Sequence, residues 1–251
     1  MLNTYEEKVY GEMEGWKRRM LKDPSVSNLF AKRIQTKMNA LIPEKIHYLI
    51  TLTIEKMVKA VLFGSKYTSL AVKRERSLQL REAYVRRIGR HYKNAATIEG
   101  AVTGAGGILM GLADFPAFLT IKIKLLFEIA TLYGFDVKDY KERLFILYIF
   151  KIAFCSQQKR KEVLISMENW SAFVQRLPSD VDHFDWRDFQ QEYRDYIDLA
   201  KMAQLIPVIG AVVGAVANNK LTEQLTIAAM NSYRMRYFEQ LKRLEQGGSD
   251  N

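Results

Sequence analysis

Cysteine and proline are scarce in this chain of 251 residues, and their scarcity excludes some classes of protein. The single cysteine, Cys155, excludes a disulfide within the chain and fits a reducing compartment, where we expect it to be a buried apolar residue. Five prolines are too few for a long linker. The N-terminus lacks the apolar segment of a secretory signal. We therefore expect a protein of the cytoplasm or of the cytoplasmic face of the membrane.

Recognisable catalytic and cofactor-binding motifs are also missing. The sequence contains no G-x-S-x-G, no GK[ST] after a glycine-rich loop and no H-E-x-x-H. We expect no metal and no cofactor. The absence of these motifs leaves open whether the protein is an enzyme. The weak catalytic candidates are Asp114, Asp136 and His183. Each has a structural alternative: Asp114 as a helix cap, Asp136 as the start of the next helix, and His183 as part of a capped, aspartate-rich loop.

Positive charge is concentrated in the first part of the chain. The net charge is +10, and residues 1–99 hold 20 Lys and Arg against 10 Asp and Glu, whereas residues 100–251 hold 18 of each. Residues 68–93 combine apolar residues at helical spacing with a dense set of cations, which predicts a basic amphipathic helix. Its predicted membrane-binding residues are Arg81, Arg86, Arg87, Arg90 and Lys93. A nucleic-acid-binding helix and an ordinary solvated face are the alternatives.

Apolar residues recur at helical spacing along most of the chain, which predicts an all-α fold, a single multi-helix bundle. Thr4 with Glu7 predicts a capping box for a first helix that ends near residue 22. Gly134 predicts a left-handed helix cap, with Asp136 or Asp139 starting the next helix. Residues 157–161 predict a polar break, and residues 162–177 a single helix ended by a proline.

Two glycine-rich segments are predicted to pack closely in the core of the bundle. Their helix-packing glycines are Gly100, Gly104, Gly107, Gly111, Gly210 and Gly214. The first segment predicts two helices that meet at residues 113–114, because Pro116 disfavours one continuous helix. The second predicts a short helix that ends at residues 218–219, before a separate final helix over 221–245. We expect residues 98–133 to lie close to residues 205–219.

Three blocks of this sequence, GAVTGAGGILMGLADFPAFL, IATLYGFD and IPVIGAVVGAVANN, resemble the signature blocks of the EcsC family. The resemblance covers residues 20–240. It implies an α-helical bacterial protein, often encoded beside an ABC transporter and associated with export. A hydrolase label is sometimes attached to the family, although nothing in this sequence supplies a nucleophile for it.

These observations predict an N-terminal helix over residues 1–22, an EcsC-like helical domain over 23–245 and a disordered tail over 246–251. We expect an accessory protein that is peripheral to the inner face of the cell membrane, bound to anionic lipid and linked to an ABC transporter or to protein export. The alternative is a hydrolase that acts at the membrane surface. A nucleic-acid partner is disfavoured by the near-neutral remainder of the chain and the lack of a known reading motif.

Overall fold

The computed structural model describes residues 2–22, 44–63, 76–104, 107–185, 187–189 and 210–247, and these ranges are mostly helical. The α-helices are α1 (Thr4–Leu21), α2 (Glu44–Phe63), α3 (Leu78–Gly104), α4 (Gly107–Tyr133), α5 (Tyr140–Phe154), α6 (Gln157–Glu168), α7 (Trp170–Gln175) and α8 (Gly210–Gly247). A 3-10 turn, Val181–His183, follows α7. No strand occurs in these described ranges, and the all-α prediction is confirmed.

Helix α5 lies at the centre of the hydrophobic core. Of its residues, only Lys141 is not buried. The Asp139 side chain caps its N-terminus by accepting from the Lys141 backbone N–H at 2.9 Å. Residues 144–154 of α5 carry one charge, Lys151, and are otherwise apolar around the whole circumference, and such a helix is stable in water only when other helices surround it. The sequence of α5 therefore requires the bundle, and residues of α1, α2, α3, α4, α6 and α8 belong to the same core.

The turn between α4 and α5 has the predicted left-handed glycine. Gly134 has φ 94°, a conformation that residues with a Cβ rarely adopt. The N–H of Gly134 donates to the Thr131 carbonyl and that of Phe135 to the Ala130 carbonyl, both at 3.0 Å. This pair of hydrogen bonds is a Schellman motif, which satisfies two of the carbonyls left free at the end of α4.

Helices α3 and α8 form an antiparallel pair that organises the bundle. Glu82 faces Arg234, Gly89 faces Thr226 and Lys93 faces Glu223, so residue numbers fall along α8 as they rise along α3. At Gly89 the helices approach so closely that a Cβ would lie 2.9 Å from Thr226 Cγ2. Helix α1 runs along the C-terminal half of α8, where the Tyr237 hydroxyl donates to Glu6 at 2.7 Å.

Three predicted helix ends are wrong. The first capping box uses Asn3 and Glu6 rather than Thr4 and Glu7. Residues 157–161 begin α6 rather than break the chain, and the predicted single helix over 162–177 is divided between α6 and α7 at Asn169. The polar residues at the start of α6 are compatible with a helix because its apolar side, Val163, Leu164 and Met167, is buried.

The glycine-rich segments are divided differently from the prediction. Gly100 and Gly104 end α3, whereas Gly107 and Gly111 begin α4, which continues through Asp114 and Pro116. Asp114 is therefore not the cap of a second helix.

Gly210 and Gly214 lie in α8, which passes through residues 218–219 to Gly247 without a break. The predicted tail therefore begins inside this helix, and residues 248–251 lie outside the described part. Beyond Pro116 and beyond residues 218–219 the two helices continue with buried residues such as Leu119, Ile123 and Leu225. Their burial outweighs the local cost of an interior proline, about 3 kcal/mol, or of an asparagine, which costs less. The packing of these glycines lies outside the described side chains and stays a prediction. Among the helices described, none has both the length and the apolar character needed to span a bilayer.

Candidate functional site

A cleft of about 440 Å³ lies where α1, α6 and α8 meet the end of α5. We call it the α1–α8 cleft. Its lining residues are Trp16, Arg19, Met20, Ile152, Ala153, Arg160, Lys220, Glu223, Gln224, Ile227 and Ala228. They come from four helices, of which α5 and α6 are consecutive whereas α1 and α8 lie at opposite ends of the sequence, so the cleft exists only in the folded chain.

The base of the cleft is apolar and well supported. Trp16, Ile152 and Ala228 are nearly fully buried. The side-chain amide of Gln224 donates to the Ala153 carbonyl at 3.0 Å. That carbonyl is among the last four of α5, which have no partner within their own helix. Gln224 thus joins α8 to the end of α5 and holds this side of the cleft in place.

The rim of the cleft is basic. Arg19 and Lys220 are exposed, and Arg160 is partly buried. Within the described part of the chain, none of these three side chains forms an ion pair, and Arg160 Nε is buried without a hydrogen-bond acceptor. The only acid in the lining, Glu223, is already bound to Lys93 at 2.9 Å. The rim therefore offers three cations to an anionic group.

The predicted membrane-binding residues fall into two groups. Arg81 donates to the Tyr133 carbonyl at 2.6 Å and to the Arg76 carbonyl at 2.8 Å, and burial lowers the pKa of its guanidinium. Arg86 binds Glu82 at 2.9 Å, and Lys93 binds Glu223. Arg86, Arg87 and Arg90 are all exposed, but Arg87 and Arg90 form no ion pair within the described part of the chain. The first group contributes to the fold, and the second is available to a partner.

The exposed side of α3 up to residue 94, which we call the α3 basic face, carries no acid. Its members are Gln79, Leu80, Ala83, Arg86, Arg87, Arg90, His91 and Asn94. The one acidic residue between positions 78 and 94, Glu82, is fully buried and binds Arg86 at the edge of this face and Arg234 of α8. The positive charge of Arg87 and Arg90 is therefore not cancelled along this part of the helix.

Glu82 is the centre of a buried polar network that the sequence did not reveal. Its two oxygens accept from Arg234 Nε at 2.7 Å and Nη2 at 2.6 Å. The hydroxyls of Tyr5 and Tyr133 also donate to it, at 2.8 and 3.2 Å. Burial alone would lower the pKa of Arg234, but the hydrogen bonds to Glu82 raise it above its ordinary value, so the guanidinium stays charged. The one sequence signal for this buried role is that Glu82 stands alone as an acid among the basic residues of positions 78–94.

A second buried carboxylate, Glu142 of α5, lies next to this network. It accepts from the Tyr233 hydroxyl at 2.7 Å and from Arg236 at 2.5 Å. The rings of Tyr133 and Tyr233 stack with centroids 5.2 Å apart, and the Arg236 guanidinium lies 3.8 Å from the centroid of Phe135. Both tyrosines have pKa values raised by burial and by their glutamates, so their hydroxyls stay protonated as donors. These groups satisfy each other and join α3, α4, α5 and α8.

The weak catalytic candidates do not form a site in the described structure. Asp136 is exposed and caps a turn by accepting from the Lys138 N–H at 2.9 Å. His183 is exposed in the 3-10 turn, and Asp114 lies inside α4 with its side chain outside the description. In the ranges that the structure describes, no three His, Cys, Asp or Glu side chains are grouped to hold a metal ion.

Comparison of the sequence with known proteins places this chain in a family. The chain is 42% identical to Protein EcsC of Bacillus subtilis (strain 168) over 231 residues, which are 90% of this chain and 93% of the relative. It is 31% identical to the Uncharacterized protein YdbA of the same organism over 224 residues, 84% of this chain and 81% of that one. No solved structure matches. A sequence model of the EcsC protein family matches residues 7–238, and the chain therefore belongs to the EcsC family.

Proposed function

We propose that this protein is a peripheral accessory protein of the cytoplasmic face of the cell membrane, held there by anionic lipid. The observation that supports this most directly is the α3 basic face, on which Arg87 and Arg90 are exposed and no acid intervenes. The cytoplasmic leaflet of a membrane carries negative charge and attracts clustered Lys and Arg side chains. The surplus of positive charge before residue 100 favours the same orientation.

The strength of this attraction can be bounded. A basic residue near an anionic surface contributes about 1 kcal/mol, so Arg87 and Arg90 together contribute about 2 kcal/mol, or roughly a 30-fold change in partition. Arg86 adds less, because its guanidinium is shared with Glu82. The attraction decays within a Debye length of about 10 Å at 0.1 M salt, so added salt should weaken binding.

Co-flotation with liposomes tests the proposal. We expect the protein to float with anionic vesicles, to float poorly with neutral vesicles, and to be released by salt. The variant Arg87→Glu with Arg90→Glu should bind anionic vesicles at least about 30-fold more weakly.

The matched control is Lys138→Glu with Arg176→Glu, which changes the net charge equally at two exposed positions outside α3. The control should retain most of the binding. Equal flotation with neutral and anionic vesicles, or an equal loss in both double variants, would contradict the proposal.

An ABC transporter or the export machinery is the partner that we propose on the basis of the family resemblance. Chemical cross-linking in cells, followed by purification of the tagged protein, would test it. We expect a transporter subunit to be recovered with the wild type and depleted with the α3 double variant. Recovery of the wild type without any such subunit would count against this part of the proposal. No observation on the described residues favours the hydrolase alternative.

A further inference from the structure

We infer that the α1–α8 cleft binds a single anionic phospholipid, with its phosphate at the basic rim and the beginning of an acyl chain on the apolar base. This inference rests on the proposed membrane function and names the ligand that the cleft would select. It concerns a defined site for one molecule, which is a separate matter from the general attraction of the α3 basic face to a charged surface.

The charges of the cleft fit a phosphate. Arg19, Arg160 and Lys220 come from three different helices and line the same cleft. The buried Arg160 Nε lacks an acceptor, which leaves a donor whose desolvation is not compensated within the described structure. A phosphate oxygen supplies such an acceptor, and guanidinium groups bind phosphate through charge-assisted hydrogen bonds. Phosphatidylcholine carries the same phosphate, but its trimethylammonium group adds a positive charge that the three cations repel, whereas an anionic headgroup adds none.

The apolar part of the cleft fits a hydrocarbon chain. Ile227 is 45% exposed although it is a large apolar residue, and it lies in the lining together with Met20 and the buried Trp16. A free inorganic anion would leave this apolar surface in water, whereas an acyl chain would cover it. The volume of about 440 Å³ is within the range of about 300–1,000 Å³ that is typical of small-molecule sites.

The cleft is next to the surface that is proposed to meet the membrane. Glu223 in the cleft lining binds Lys93 of α3, one helical turn beyond Arg90. The ion pair therefore links the cleft lining on α8 to α3, the helix of the basic face. A lipid could enter the cleft from a bilayer against which α3 rests.

The test uses the full chain and soluble short-chain lipids, so that it does not depend on vesicles. Isothermal titration calorimetry would compare short-chain phosphatidylglycerol, short-chain phosphatidylcholine and inorganic phosphate. We expect saturable 1:1 binding of phosphatidylglycerol and much weaker binding of the other two. Arg160→Gln should reduce the affinity about tenfold or more, since it removes a charged donor to the phosphate. Lys161→Gln is the control, because Lys161 is an exposed neighbour outside the lining.

Ile227→Asp is a second variant that the fold should tolerate, because the side chain is exposed. It should weaken phosphatidylglycerol binding while the melting temperature stays near that of the wild type. Equal binding of phosphatidylcholine, or phosphate binding as tight as that of phosphatidylglycerol, would overturn the inference. No binding of phosphatidylglycerol would also overturn it. Flotation of the same protein with anionic vesicles would then show that the membrane function holds without a lipid site.

Discussion

The buried ion pair between Glu82 and Arg234 gives the strongest stability prediction for this protein. Arg234→Met keeps most of the side-chain volume but removes the guanidinium that contacts both Glu82 oxygens. The Glu82 side chain is fully buried and that of Arg234 is 4% exposed, so solvent cannot replace the lost partner. Breaking a buried pair in this way costs about 3–5 kcal/mol.

The remaining partners of Glu82 determine where in this range the loss of stability should lie. Arg86 and the hydroxyls of Tyr5 and Tyr133 still donate to the carboxylate. We therefore expect a loss near the lower limit, about 3 kcal/mol. The free energy of unfolding of such domains is about 5–15 kcal/mol, so the variant should still fold at room temperature but lose a large part of its stability.

Urea unfolding followed by circular dichroism would measure this loss, provided that the slope of free energy against urea is unchanged between variants. The control is Arg243→Met, also on α8, whose ion pair with Glu239 is at the surface and whose side chain is 58% exposed. Exposed pairs contribute about 0–1 kcal/mol. The double variant Glu82→Leu with Arg234→Met should lose clearly less than the sum of the single losses, because no unpaired charge stays buried.

Equal small losses for Arg234→Met and Arg243→Met, both below about 1 kcal/mol, would refute the reasoning. They would mean that Glu82 is reached by water or is fully satisfied by its other donors. Additivity in the double variant would refute the argument from desolvation in the same way.

Two further predictions concern packing and pH. Gly89→Ala should destabilise the protein by about 1–3 kcal/mol in urea unfolding, because the added Cβ would lie 2.9 Å from Thr226. Gly11→Ala has open space at its Cβ and should stabilise the protein by up to about 1 kcal/mol. A gain in stability at both positions would contradict the close helix contact. Burial and then the hydrogen bond to Glu6 raise the pKa of Tyr237 to about 12, so its contribution to stability is complete below the unfolded tyrosine value of about 10 and is lost as the pH rises through 12. Thermal unfolding as a function of pH should show this alkaline loss, and Tyr237→Phe should make it smaller; an unchanged profile would count against the contact.

Local sequence signals predicted much of the helical framework. The recurrence of apolar residues at helical spacing identified the helices. Asp139 and Gly134 were recognised as helix ends because capping depends on a few adjacent residues. The burial of α5, in which only Lys141 is not buried, agrees with the apolar residues on every side of residues 144–154. The same signals gave wrong ends for α4 and α8, where Pro116 and residues 218–219 lie inside continuous helices.

Contacts between distant residues were beyond reach of the sequence. Glu82 is the one acid among the arginines between residues 78 and 94 of α3, and its burial depends on Arg234, which is 152 positions away. The α1–α8 cleft likewise needs Arg19, Arg160 and Lys220 from three helices.

The sequence alone therefore determined the all-α class, several helix ends and the concentration of positive charge, because these depend on composition and on neighbours along the chain. Only the tertiary structure decided which of those charges are used internally and which stay available. The physical reason is that a charge is desolvated or exposed according to the helices packed around it, and no local pattern specifies that packing.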